Sequence, residues 1–148
     1  TPEQIIAIGT YASDLFAASM EASERRSIIF GCEALTPEQI TVIGTHAKYL
    51  FTRSAGGSER RAIIEACSGL TPEDLDLRVK MIQTHDFYLF AKDIYGTDWR
   101  DILKTCLGLT PDDLNLRLEA IDHHFSFSGN IDGRTRIKLI YACLNNKG

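Results

Sequence analysis

Apolar residues recur at helical intervals through most of the chain, and no stretch alternates as a β-strand would. In residues 36–51, Ile40, Ile43, Ala47, Leu50 and Phe51 mark one face of a helix, and the tight apolar pair Ile63-Ile64 marks a second, shorter helix. The pairs Ile28-Ile29, Ile102-Leu103 and Leu139-Ile140 show the same two-helix pattern elsewhere. Self-comparison gives units at 1–35, 36–70, 71–109 and 110–148, of which the first two agree at 20 of 35 positions. The third carries four extra residues before Thr84-His85, about one helical turn, which lengthens its first helix while keeping the buried face in line. The fourth keeps that extension and loses two residues near Gly129–Gly133. A period of 35–39 residues is that of paired-helix repeats. The predicted fold is all-α: a solenoid of four tandem helix-turn-helix (αα-hairpin) repeats making a single domain over 1–148.

Each unit opens on nearly the same phrase: TPEQI at 1–5, LTPEQI at 35–40, LTPEDL at 70–75 and LTPDDL at 109–114. The Thr is a good N-cap, Pro suits the first helical position, and Gln39 stands three residues after Thr36, where a capping box needs it. Leu35 and Ile40 have the spacing of a hydrophobic staple, as do Leu70 with Leu75 and Leu109 with Leu114. Gly69 and Gly108 stand where a preceding helix would use a left-handed closing residue. Ser23, Ser58 and Thr97 are expected to cap the second helices. The phrase is structural punctuation: it stops one helix and starts the next. The chain opens at such a boundary without the leading Leu, which points to native sequence upstream, and the polar ending NNKG suggests that the array finishes there.

In a repeat array, function lies in columns of aligned residues. One column is basic: Arg25-Arg26, Arg60-Arg61, Arg100, and less regularly Arg134 and Arg136. Cations near a helix N-terminus oppose the macrodipole, at a cost of a few tenths to about 1 kcal/mol each. Stacked, they would form an anion-binding edge for phosphates or an acidic peptide; the simpler expectation is that they pair with acids such as Glu24 and Glu59. A second column is Tyr11, His46, His85 and His124, expected to line the groove between helices as hydrogen-bonded contact residues for a ligand. Zinc would need three or four of them to converge within about 2 Å of one point, which repeat spacing opposes. Gly9 and Gly44, costing about 1 kcal/mol each inside a helix, mark close helix packing, although the longer units have Gln83 and Asp122 there.

Composition changes this picture little. The net charge of −4 is mild, and many of the acids sit in predicted first turns, which leaves the remaining surface slightly basic. Cys32, Cys67, Cys106 and Cys143 fall at one place in each unit, too far apart for disulfides in stacked helices. They read as small buried thiols, which points to an intracellular protein. No apolar run is long enough to span a membrane. There is no phosphate-cradling glycine loop, no metal-site spacing and no mark of an activated nucleophile, so no catalytic residue, cofactor or metal is expected. Trp99 and the cluster Phe87-Tyr88-Phe90 read as core.

The opening LTPEQI with TVIGTHA (35–47) resembles the first third of TAL-effector repeats, helical hairpins of similar period that bind DNA. That resemblance implies base-facing pairs at Tyr11-Ala12, His46-Ala47, His85-Asp86 and His124-Phe125. The Gly-Gly turn that should follow is replaced by apolar sequence, YLF at 49–51 and 88–90, and the first helix is expected to run straight through. The lysine-bearing start of the second helix is missing too. LGLTPDDL (107–114), with Ile43 and Leu50-Phe51, is similar to mitochondrial-terminator-type repeats, although Lys48 takes the place of their proline. The leading expectation is a non-catalytic module that binds a partner protein or peptide along a groove of stacked helices. Its contact residues would be Arg25, Arg26, Arg60, Arg61, Arg100 and Arg136, with Tyr11, His46, His85 and His124. The alternative is a nucleic-acid-binding array that sets the same arginines on phosphates. No membrane partner is expected.

Overall fold

The computed structural model describes residues 1–51, 56–85, 96–128 and 133–145. Expectations for Asp86, the Phe87-Tyr88-Phe90 cluster, residues 129–132 and residues 146–148 lie outside them. The fold is all-helical, and its elements form two compact units, Thr1–Asp76 and Leu77–Gly148. The first holds α1 (Pro2–Thr10), α2 (Ala12–Leu15), α3 (Ala22–Cys32), α4 (Pro37–Thr45), α5 (Ala47–Leu50) and α6 (Gly57–Ala66). The boundary falls inside α7 (Pro72–Thr84), and the second unit continues with α8 (Gly96–Leu107), α9 (Pro111–Ser128) and α10 (Gly133–Asn145).

The repeated phrase caps a helix in every sequence repeat. Thr1, Thr36, Thr71 and Thr110 accept from the backbone N–H three residues on, at 3.2, 3.2, 3.1 and 3.3 Å. Thr1 and Thr36 complete capping boxes with Gln4 and Gln39. Inside each unit the periodic aliphatics form the core. Leu15, Ile28, Ile40, Ile43, Leu50, Ile63 and Ile64 are sealed in the first, and Ile82, Ile102, Leu103, Leu114, Leu118 and Ile140 in the second. Each such side chain contributes about 1.5–3 kcal/mol by leaving water.

Gln39 does more than cap. Its Oε1 accepts from the Thr36 N–H at 2.7 Å, while its Nε2 donates to the carbonyls of Leu70 and, at 3.2 Å, Ser68. One amide thus starts α4 and closes the end of α6. Gln4 does the same for α1 and α3, donating to the carbonyls of Glu33 and Leu35. In the second unit an arginine one turn further along takes over. Arg78 Nε donates to Leu109 O at 3.0 Å, and Arg117 Nη1 to Cys143 O and Leu144 O at 2.8 and 3.1 Å. These clamps satisfy carbonyls that a helix C-terminus would leave orphaned.

Three local expectations are corrected. Neither Gly69 nor Gly108 adopts a left-handed backbone. The helix ends close instead through tight turns, such as Leu70 N–H to Cys67 O at 3.1 Å, and through the clamps. The second helices start before Ser23, Ser58 and Thr97, with Glu21 and Gly56 as the caps of α3 and α6. The first helix does not run straight through in the first two repeats. It breaks at Tyr11 (φ −106°, ψ 19°) and His46 (φ −101°, ψ 10°), although both backbone N–H groups still bond four residues back, to Ala7 and Val42. In α9 the helix does run through the corresponding place, His124.

Side chains explain the breaks. The Tyr11 ring lies so close to Gly44 that a Cβ there would stand 2.3 Å from Tyr11 Cγ. His46 Nε2–H donates to the Asp76 carboxylate at 2.8 Å. The bent residue in each case reaches the following repeat's first helix. A glycine is needed at a second close approach, where a Cβ on Gly57 would meet the Glu24 backbone at 2.9 Å as α6 packs along α3.

Candidate functional site

The short helices created by these breaks shape a groove on the first unit. α2 and the turn after it present Ser13, Asp14, Phe16 and Ala17, and α5 presents Ala47 and Lys48, followed by Phe51. These residues and Arg60 line a cleft of about 470 Å³. A second hollow of about 270 Å³ shares Ser13, Phe16 and Ala17 with it and reaches Arg25.

The groove repeats one arrangement. Arg25 stands over the Phe16 ring at 5.9 Å, and Arg60, 35 positions on, stands over the Phe51 ring at 4.9 Å. A guanidinium over an aromatic face is attracted by the ring quadrupole. The two arginines are otherwise held differently. Arg25 is exposed, and its Nε and Nη2 donate to Met20 O and Ala18 O at 3.2 and 3.3 Å. Arg60 is only 6% exposed, and its Nη1 donates to Leu15 O at 2.9 Å and Asp14 O at 3.4 Å, the C-terminus of α2. Burial pushes its guanidinium down from the ordinary arginine value, and the Glu24 charge works in the opposite direction. A cation is favoured at a helix C-terminus, so Arg60 is a staple between two repeats.

The remaining basic residues are held in other ways. Arg26 is exposed on α3, and Arg61 pairs along α6 with Glu65 at 2.7 Å. In the second unit Arg100 pairs with its neighbour Asp101 at 2.9 Å, Arg136 stands 5.5 Å from the Phe125 ring, and Arg134 is exposed. The anion-edge expectation therefore meets a correction at Arg60: its side chain is spent on backbone carbonyls beneath the surface. In the Tyr/His column, Tyr11 and His46 start α2 and α5 but turn away from the cleft, toward Gly44 and Asp76. His85 Nδ1–H donates to Asp122, and exposed His124 sits edge-on to Phe125. Three column residues thus connect successive repeats.

Sequence reasoning missed the aromatic half of the groove and the clamps. The signals were present: Leu15-Phe16 and Leu50-Phe51 stand before matching SERR phrases, and LDLR (75–78) recurs as LNLR (114–117) at the long repeat's own spacing.

All four thiols are free; Cys32, Cys67 and Cys106 are buried and Cys143 half-buried. Burial pushes the Cys32 thiol up to about 11, and those of Cys67 and Cys106 up to about 12. Arg117 opposes the upward push on Cys143. Near pH 8 the three buried thiols hold roughly one thiolate in a thousand or fewer, and thiolate is the reactive form. Titration of the native chain with a chromogenic disulfide is expected to give one prompt equivalent, Cys143, and three that appear only on unfolding. Prompt reaction of all four would show that the core opens readily. Among the described residues no three His, Cys, Asp or Glu side chains are grouped to hold a metal, and no helix is long and apolar enough to cross a membrane. Compared with protein families, curated proteins and solved structures, the chain matches none.

Proposed function

We propose that the chain is a four-repeat αα-hairpin solenoid that works as a non-catalytic interaction module, binding a partner protein or peptide in the groove over α2 and α5. The carrying observation is the groove's repeated Arg–Phe arrangement, which offers apolar surface at Phe16 and Ala17, over buried Ala47 and Phe51, with polar groups at Ser13, Asp14 and Lys48. Concave surfaces that set fixed polar groups beside apolar ones are where ligands bind. An extended segment laid along it would set an apolar side chain against Phe16 and polar ones against the rim. The raised, buried thiols are poor nucleophiles, which weighs against cysteine chemistry. The engagement of Arg25 and Arg60 with carbonyls favours a peptide over a phosphate backbone.

Panning a random-peptide display library on the intact chain tests this. Selected peptides are expected to lose about tenfold or more in affinity on Ser13→Arg or Lys48→Glu, both exposed lining positions, and to hold across a salt series. Peptides indifferent to both changes would overturn the groove assignment. Micromolar binding of random duplex or single-stranded oligonucleotides that falls steeply with salt, less so in Arg25→Ala/Arg26→Ala, would put nucleic acid in the peptide's place.

A further inference from the structure

The groove between α2 and α5 has one reachable charge of each sign on its walls. Asp14 lines it from α2, in the first repeat, and Lys48 lines it from α5, in the second. Asp14 is half-buried and Lys48 is exposed. Neither side chain has a hydrogen-bond or ion-pair partner among the described residues, and the two do not pair with each other. The third charge of the lining, Arg60, lies beneath the surface, and its Nη1 donates to the Asp14 backbone carbonyl at 3.4 Å while the carboxylate stays open. By contrast Arg61, the next residue along α6, is paired with Glu65. The two wall charges are not repeat equivalents either. Lys48 stands where the first repeat has Ser13, and Asp14 stands where the second has Tyr49. Opposite charges on facing repeats are therefore a property of this one groove and not of the repeat unit.

We infer that the groove takes its peptide in one direction only, as a segment that sets an acidic side chain on Lys48, a basic one on Asp14 and an apolar one on Phe16 and Ala17. The inference deepens the groove reading and rests on it. Opposite charges on the two walls of a cleft act on orientation and register more than on raw affinity, because a ligand laid the wrong way meets two like-charge contacts in place of two attractive ones. Charges that are unpaired in the free protein have no internal ion pair to break when the ligand arrives. The open carboxylate also sets itself against a phosphate backbone, which carries charge of one sign along its whole length. A peptide with both signs answers both walls.

Panning one random-peptide display library in parallel on the intact chain and on its double variant Asp14→Lys/Lys48→Asp is the test. Peptides selected on the parent are expected to carry an acid and a base in one fixed order about an apolar residue, and those selected on the double variant in the reverse order. A synthetic peptide from the parent selection is expected to weaken about tenfold, by fluorescence anisotropy, when its acid and base are exchanged. The double variant is expected to prefer the exchanged peptide by a similar factor. Because neither side chain has a partner in the described fold, the double variant is expected to keep the parent's circular-dichroism melt. The exchange within the peptide is measured on the parent alone, so it decides the matter whatever the variant does. Peptides that lose affinity on Ser13→Arg yet tolerate the exchange would overturn the inference and leave the groove reading standing. Peptides indifferent to Ser13→Arg would overturn both.

Discussion

Arg60→Ala is expected to lower the unfolding free energy by about 3 kcal/mol, the largest loss among the arginine positions. Arg60 is 6% exposed, and its guanidinium makes charge-assisted hydrogen bonds to Leu15 O at 2.9 Å and Asp14 O at 3.4 Å. Those carbonyls end a four-residue helix that has few other means of satisfying them. Truncation leaves a buried acceptor without its donor, removes the cation over Phe51, and vacates the space of the aliphatic stem. Arg60→Lys is expected to recover less than half of the loss, because a single ammonium cannot both stack on the ring and reach the carbonyls. Arg25→Ala is the control: same place in the repeat, same aromatic partner, yet exposed, and expected to cost under about 1 kcal/mol. Urea denaturation of the three variants beside the parent measures the differences. Equal midpoints for Arg60→Ala and Arg25→Ala would show that the buried staple adds nothing to stability.

That pair also shows where the sequence stops being informative. The starts of the repeats' first helices were legible because a cap is local: a Thr, a Pro and a residue three positions on suffice, and all four Thr caps are in place. The buried aliphatic pairs were legible because period alone puts Ile63-Ile64 and Ile102-Leu103 on inner faces. Arg25 and Arg60 occupy equivalent places, and nothing local says that one is exposed and the other buried. The difference arises because Arg60 has the preceding repeat's α2 to reach, which is a tertiary fact. The breaks at Tyr11 and His46 were hidden for the same reason. YASDLF and HAKYLF read as continuous helix, and what bends them is a ring against Gly44 and an imidazole on Asp76, a whole repeat away. The groove over α2 and α5 exists because of those breaks, so its shape was out of reach even though Arg25 and Arg60 had been singled out. The clamps escaped through a change of residue: Gln4 and Gln39 give way to Arg78 and Arg117 one turn later, so no single column holds them.

Gln39→Glu separates the two roles of the clamp, and it is expected to destabilise the fold by about 2–3 kcal/mol near neutral pH. Local rules argue the other way. Glu is a standard partner in a capping box, and a carboxylate in a helix's first turn is favoured by the macrodipole by about 0.3–1 kcal/mol. The variant keeps the acceptor that holds the Thr36 N–H, so α4 should start as before. What it loses is the donor. Gln39 is 5% exposed, and its Nε2 faces the carbonyls of Leu70 and Ser68; a carboxylate there sets negative oxygen against carbonyl oxygen with little water to intervene. Protonation restores a donor, so the folded variant binds a proton more tightly than the unfolded chain does. Its deficit relative to the parent should therefore shrink as pH falls through the raised carboxyl range and be full above it. Gln4→Glu makes the same exchange at a half-buried, better-hydrated site and should cost less than half as much. Urea denaturation near pH 7.5 and again near pH 5 gives both the deficit and its pH dependence. A Gln39→Glu chain as stable as the parent at both would mean that capping alone fixes this residue, and that the tie to the end of α6 is incidental to holding the hairpin closed.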